Sequence, residues 1–88
     1  ILRTIEFLKD SGLKVICAME KSGTAVSEAD LKGPVVLILG SEDKGISREL
    51  IALADYKIKI PMKGNIGSLN VSVAAGIIIY EITRQRSS

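Results

Sequence analysis

Apolar positions recur along the chain in three rhythms, and each rhythm predicts a different element. Ile1, Leu2, Ile5 and Leu8 fall at helical spacing, opposite Arg3, Glu6, Lys9 and Asp10. Gly12 follows as a stop, so residues 1–11 read as a surface helix. Residues 13–18 read as a short strand. Residues 19–34 carry no strong period: 19–24 is expected to be loop at the strand's carboxyl end, 25–31 one short helical turn at most, and Lys32-Gly33-Pro34 a turn. Val35-Val36-Leu37-Ile38-Leu39 is an unbroken aliphatic run, the pattern of a parallel strand covered on both faces. Ser47 can cap a helix over residues 48–54, with Ile46 and Ile51 at the positions of a hydrophobic staple. Tyr56-Lys57-Ile58-Lys59-Ile60 alternates, so one face packs while the lysines point toward water.

The longest helix is expected over residues 69–86. Val71, Val73, Ala74, Ala75, Ile77, Ile78, Ile79, Tyr80 and Ile82 leave it almost no polar face, which predicts burial nearly all round. Eighty-eight residues enclose such a helix poorly, so a covering surface is expected, either a further segment or a second subunit. Gly76 costs roughly 1 kcal/mol against Ala in mid-helix, and close backbone packing is its expected use. Arg84, Gln85 and Arg86 are expected to return to water and suit the helix C-terminus. The order α-β-loop-β-α-β-α predicts one α/β domain, a mostly parallel sheet flanked by helices. The loops at the strands' carboxyl ends should gather into one crevice.

Three loops converge there: residues 19–24, 40–46 and 61–68. In the third, Pro61 ends ladder pairing and Gly64 and Gly67 allow sharp turning or close approach. Ser68 stands at a natural N-cap position, and Asn70 brings a carboxamide to the same helix start. In the second, Gly40-Ser41-Glu42-Asp43-Lys44-Gly45 is neither a Walker A loop nor a GxGxxG fingerprint. Its spacing fits a ligand loop or an ordinary βα turn. Glu42 taken alone reads as a solvated or capping carboxylate, Ser68 as a bare cap, and Lys57, Lys59 and Lys63 as solvated lysines.

Composition narrows the chemistry. Histidine is absent and Cys17 is the single cysteine, which excludes a His-based triad, a Cys/His zinc site and an intrachain disulfide. Cys17 lies inside a strand and reads as a plain core residue. The net charge of +2 permits nucleic-acid contact without requiring it. No apolar run reaches the roughly 18–20 residues of a membrane span, and charges interrupt any signal-peptide pattern at the N-terminus. A soluble, cytoplasmic domain is expected. Ile1-Leu2-Arg3-Thr4 starts without Met and already inside a helix, as in a piece of a longer protein.

Three stretches carry a resemblance: Leu37-Ile38-Leu39-Gly40-Ser41-Glu42-Asp43-Lys44-Gly45-Ile46-Ser47, then Ile58-Lys59-Ile60-Pro61-Met62, then Gly67-Ser68-Leu69-Asn70-Val71-Ser72-Val73-Ala74-Ala75. In this order and spacing they resemble motifs two and three of the SpoU (TrmH-like) RNA methyltransferases of the SPOUT superfamily. The likeness extends through Tyr80-Glu81 and Arg84-Gln85-Arg86, and more weakly to the first helix. It implies a C-terminal trefoil knot, a rare exception to unknotted topology. It implies S-adenosylmethionine held largely by main-chain groups, with Leu39, Gly40, Ile60, Met62, Ser68, Leu69 and Asn70 at the cofactor-binding positions. It also implies a homodimer with the last helix at the interface.

The implied reaction is methyl transfer to a ribose 2′-hydroxyl of rRNA or tRNA, which requires in-line alignment and removal of the hydroxyl proton. By the resemblance, Asn70 positions the reacting groups, Ser68 orders the site and Glu42 supports the loop and pocket. A sulfonium is already an activated leaving group, so no metal is needed. The family's first motif, an Asn and an Arg ahead of the first helix, does not occur in these 88 residues. The chain alone is therefore expected to bind cofactor weakly, if at all, and to be inactive. The competing reading is a noncatalytic RNA-binding or dimerisation module that keeps the knotted fold.

Overall fold

The computed structural model describes residues 1–20, 22–40, 45–61 and 70–87. Four strands, β1 (Lys14–Ala18), β2 (Thr24–Ala25), β3 (Val35–Ile38) and β4 (Tyr56–Lys59), form one sheet in the order β2-β4-β1-β3. Every pairing is parallel. Helices α1 (Leu2–Asp10), α2 (Arg48–Leu53) and α3 (Val71–Arg86) complete the described elements. The expected α/β class and parallel sheet are borne out.

The local signals that define the helix ends are met. The Gly12 amide donates to the Lys9 carbonyl at 3.0 Å and the Leu13 amide to the Leu8 carbonyl at 3.1 Å, closing α1 with Gly12 at φ +99. Ser47 caps α2, its hydroxyl accepting from the Leu50 amide at 3.3 Å. Lys9 then donates to the Leu53 carbonyl at 2.9 Å, placing a cation at the C-terminus of α2. Asp55 stitches β4 to β1: its carboxylate accepts from the Val15 amide at 2.8 Å, and its own amide donates to the Val15 carbonyl at 2.7 Å.

Four expectations are corrected. Strand β2 occupies the end of an expected loop; Thr24 pairs with Ile58 and Ala25 with Lys59, and the Val26 amide donates to the Lys59 carbonyl at 2.9 Å. Two residues are too few to show a period, so this strand is created by its neighbour. Strand β3 is not covered on both faces; it lies at the sheet's edge, beside β1, and its residues are half-buried. The last helix starts at Val71 with Asn70 as its cap, the Asn70 Oδ1 accepting from the Ser72 amide at 2.8 Å. The expected cap, Ser68, lies outside the described residues. Finally, α3 is buried on one face only: Val73, Ile77, Ile79 and Tyr80 are exposed, and a Cβ on Gly76 would meet nothing within 4 Å.

The core gathers Ile16 and Ile58 from the two central strands, Ile78 from α3, and Val26, Ala29 and Leu31 from the segment after β2. Ile78 is 1% exposed, and truncating such a side chain to Ala costs roughly 2–5 kcal/mol. Cys17 is fully buried, and burial pushes its thiol pKa up against a weaker opposing pull from Lys57. That matches its reading as a core residue.

At the end of α3, Arg84 and Arg86 are exposed as expected, but Gln85 does not return to water, for it is only 8% exposed. Its Oε1 accepts from the Leu31 amide at 2.8 Å, and its Nε2 donates to the Ala29 carbonyl at 2.9 Å and to Glu81 at 2.8 Å. Arg84 grips the same Glu81 carboxylate with two hydrogen bonds, at 2.7 and 2.9 Å. Two residues on, Arg86 donates to the Gly33 carbonyl. The arginine's hydrogen bonds first, and then Gln85's, lower the Glu81 pKa from 4.5 to about 2.

A carboxyl group held below its unfolded value stabilises the fold above that value, and the contribution fades as pH falls from 4.5 through about 2. We therefore expect a carbon-detected titration of Glu81 to have its midpoint near 2, and Arg84→Met to move that midpoint upward. A midpoint within the ordinary glutamate range in the unaltered chain would show that the grip does not form.

Candidate functional site

The register of β1 with its two neighbours, Cys17 opposite Ile38 and Ala18 opposite Ile58, brings three strand ends to one edge of the sheet. Leu39 and Gly40 leave β3 there, Ile60 and Pro61 leave β4, and Met19 leaves β1. Leu39 and Ile60 are both half-buried and both pack against the same core cluster. The Met19 amide donates to the Ile58 carbonyl at 2.7 Å, prolonging the ladder one residue beyond β1.

Two glycines fix the loops at this edge. Gly23 has φ +107, and a Cβ there would stand 2.5 Å from the Lys57 carbonyl oxygen. The loop after β1 thus doubles back until backbone meets backbone, which only glycine permits. A Cβ on Gly40 would come within 2.5 Å of the Gly45 carbonyl carbon. The two glycines that bracket residues 41–44 therefore meet at the loop's base. This close approach is compatible with both readings of the spacing, a ligand loop and an ordinary βα turn. Gly23 was not singled out from the sequence, since nothing near it is periodic.

Of the residues implied by the resemblance, Leu39, Gly40 and Ile60 lie at this edge, and Asn70 stands exposed at the head of α3. Glu42, Met62, Ser68 and Leu69, with Lys63, Gly64 and Gly67, lie outside the described residues. Lys57 is exposed and Lys59 half-buried. Among the described residues no group of His, Cys, Asp or Glu could hold a metal ion. The described edge offers main-chain groups and aliphatic walls. Such a surface suits a ligand recognised by shape and backbone hydrogen bonds more than by charge.

A parallel sheet whose carboxyl edge carries glycine-pinned loops has the architecture in which open α/β domains as a class bind ligands at the strand ends. The profile of the SpoU rRNA Methylase family matches residues 1–80, and the chain belongs to that family. It is 41% identical over 87 residues to the 23S rRNA (guanosine-2′-O-)-methyltransferase RlmB of Pseudomonas aeruginosa, covering 99% of this chain and 35% of that protein. Among solved structures it resembles the TrmH/SpoU tRNA modifying enzyme of A. aeolicus, with TM-score 0.88 and 41% identity over 98% of this chain and 44% of that one. It also resembles the SpoU methyltransferase AviRb of Streptomyces viridochromogenes in complex with AdoMet, with TM-score 0.83 and 34% identity over 99% of this chain and 34% of that one. The chain thus spans about a third of the length of the curated relatives it matches.

The close approach at Gly23 can be separated from its backbone angle. Gly12 also has positive φ, yet a Cβ there would meet nothing within 4 Å. In urea unfolding we expect Gly12→Ala to cost about 1 kcal/mol and Gly23→Ala about 3 kcal/mol or more. Equal costs would mean that the loop does not press on β4.

Proposed function

We propose that this chain is the C-terminal part of a single SpoU-type catalytic domain that methylates a ribose 2′-hydroxyl of rRNA or tRNA, with S-adenosylmethionine as donor. The observation that carries the reading is the joint placement of Leu39, Gly40 and Ile60 at one sheet edge, in a family whose relatives include a 23S rRNA 2′-O-methyltransferase and an AdoMet-bound enzyme. The donor set fits: glycine-pinned main chain and aliphatic walls suit the adenosine and methionine parts of the cofactor. Leu39, Gly40, Ile60, Met62, Ser68, Leu69 and Asn70 would hold it. When bound, the cofactor supplies an electrophilic methyl group on a sulfonium.

This chain's own residues then do the positioning. Asn70 uses its Oδ1 to cap α3, and by the family likeness it positions the reacting groups. Ser68 orders the loop, and Glu42 supports the pocket. Alignment of a 2′-oxygen with the methyl carbon is the main catalytic contribution, because the leaving group needs no further activation. Upstream residues outside this chain complete the site, so the 88 residues alone turn over no substrate. The trefoil knot and cytoplasmic location belong to the same reading. So does a homodimer through the exposed face of α3, where Val73, Ile77 and Tyr80 form an uncovered apolar stripe.

Calorimetry with S-adenosylmethionine on the longer protein tests the reading. Binding heat is expected; its absence in a folded protein would favour a noncatalytic module. In that protein Asn70→Asp keeps the capping acceptor, so stability should change by less than about 0.5 kcal/mol. Methyl transfer to rRNA or tRNA should fall at least about 100-fold, as for loss of a positioning hydrogen bond. Separately, sedimentation should find the chain self-associated and Ile77→Lys monomeric; a monomeric unaltered chain would remove the dimer.

A further inference from the structure

Helix α3 presents a problem of uniqueness. Ile78 and Ile82 pack on the core, but Val73, Ile77 and Ile79, on its other sides, are as apolar and remain exposed. Hydrophobic burial is non-directional. Turning the helix by one residue position would exchange Ile78 for Ile77 or Ile79, while Ile82 would give way to Glu81 or Thr83. Apolar contact at the position of Ile78 does not by itself select the face.

The directional groups are Glu81 and Gln85. Gln85 joins the Leu31 amide, the Ala29 carbonyl and Glu81; the bond to Glu81 lies within the helix, but the bonds to Leu31 and Ala29 are lost if the helix turns. Leu31 and Ala29 are buried, so their backbone groups would be left without that partner in an apolar setting. Asn70, Ala74, Ile78, Glu81 and Gln85 follow one another at spacings of four, four, three and four residues. At 100° per residue they lie within an arc of about 80°. The face that Gln85 selects is therefore the face on which Asn70 stands. The segment that Gln85 holds also continues directly from β2, which pairs with β4 up to Lys59, the residue before Ile60.

We propose that Gln85 is a positioning residue: with Glu81 it fixes the rotational register of α3, and so the direction in which Asn70 meets the strand ends. The consequence for methyl transfer rests on the function proposed above; the register itself does not. Buried polar groups act here as selectors of helix register.

Three measurements test this. In the unaltered 88-residue chain, the Leu31 amide should exchange with solvent within about tenfold of the Ile82 amide, since both open only when α3 leaves. Exchange at Leu31 more than 100-fold faster than at Ile82 would overturn the proposal. Next, nuclear Overhauser contacts to the Ile16 and Ile58 methyls should come from Ile78, and not from Ile77 or Ile79, in the unaltered chain. In Gln85→Met, Ile77 or Ile79 should join them. Adding Ile77→Lys and Ile79→Lys to that variant should restore Ile78 as the sole contact, because the competing faces are then charged. A purely structural loss of hydrogen bonds would not be repaired by charges elsewhere on the helix. Persistence of Ile78 alone in Gln85→Met would overturn the register role.

In the longer protein, Gln85→Met should weaken S-adenosylmethionine binding or lower kcat at least tenfold; shifted contacts with neither change would overturn the link to the site. If the unaltered longer protein bound no S-adenosylmethionine, the methyltransferase reading would fail, and the exchange and contact measurements would still decide the register.

Discussion

Ile58 joins the two halves of the fold at a single residue. Its backbone pairs with Ala18 of β1 on one side and Thr24 of β2 on the other. Its carbonyl receives the Met19 amide, and its side chain, fully buried, meets Ile16 and Ile78 in the core. The loop carrying Gly23 comes down on the peptide just before it. Strand β4 is therefore fixed by ladder bonds in the plane of the sheet and by apolar packing above it. The strand end at Ile60 inherits that rigidity. A site assembled from loops gains definition when each loop leaves a strand held in this way.

The legible parts of the fold were those written in short-range pattern. Helix α1 with its Gly12 stop, the Ser47 cap of α2 and the strands β1 and β4 all follow from neighbours within a few residues. What was illegible depends on residues far away. Strand β2 exists because β4 lies beside it. Gln85 reads as a surface residue next to two arginines, and only Leu31, 54 residues distant, makes it a buried one. Ser68 and Asn70 are equally competent as caps in isolation; the point at which the chain turns helical gave the role to Asn70. The strand-end loops at Gly40 and Ile60 were legible as an order of motifs, while the backbone approach of Gly40 to Gly45 needed three dimensions.

Helix α3 combines two kinds of surface that usually belong to different helices. Toward the sheet it is selective, with Ile78 in the core, Ile82 packed against it and a satisfied polar cluster at its end. Away from the sheet it is apolar without being covered, with Tyr80 72% exposed. The sequence merges the two into a helix that looks buried throughout. The separation arises because the near side is chosen by hydrogen bonds, leaving the remaining apolar residues for whatever lies outside this chain.

The segment from 29 to 33 that grips the end of α3 also bears on how the chain comes to be folded. Strands β1 and β4 are some 40 residues apart in sequence, and the bonds of Gln85 to the 29–31 segment span 54 and 56. Contacts of that separation pay loop-closure entropy before they return any stability, which slows folding. On a ribosome, Ile16, Leu31 and Ile58 are all made before the helix that covers them. Until residue 78 has left the exit tunnel, this core has no lid, and the apolar face of the sheet stays open to water.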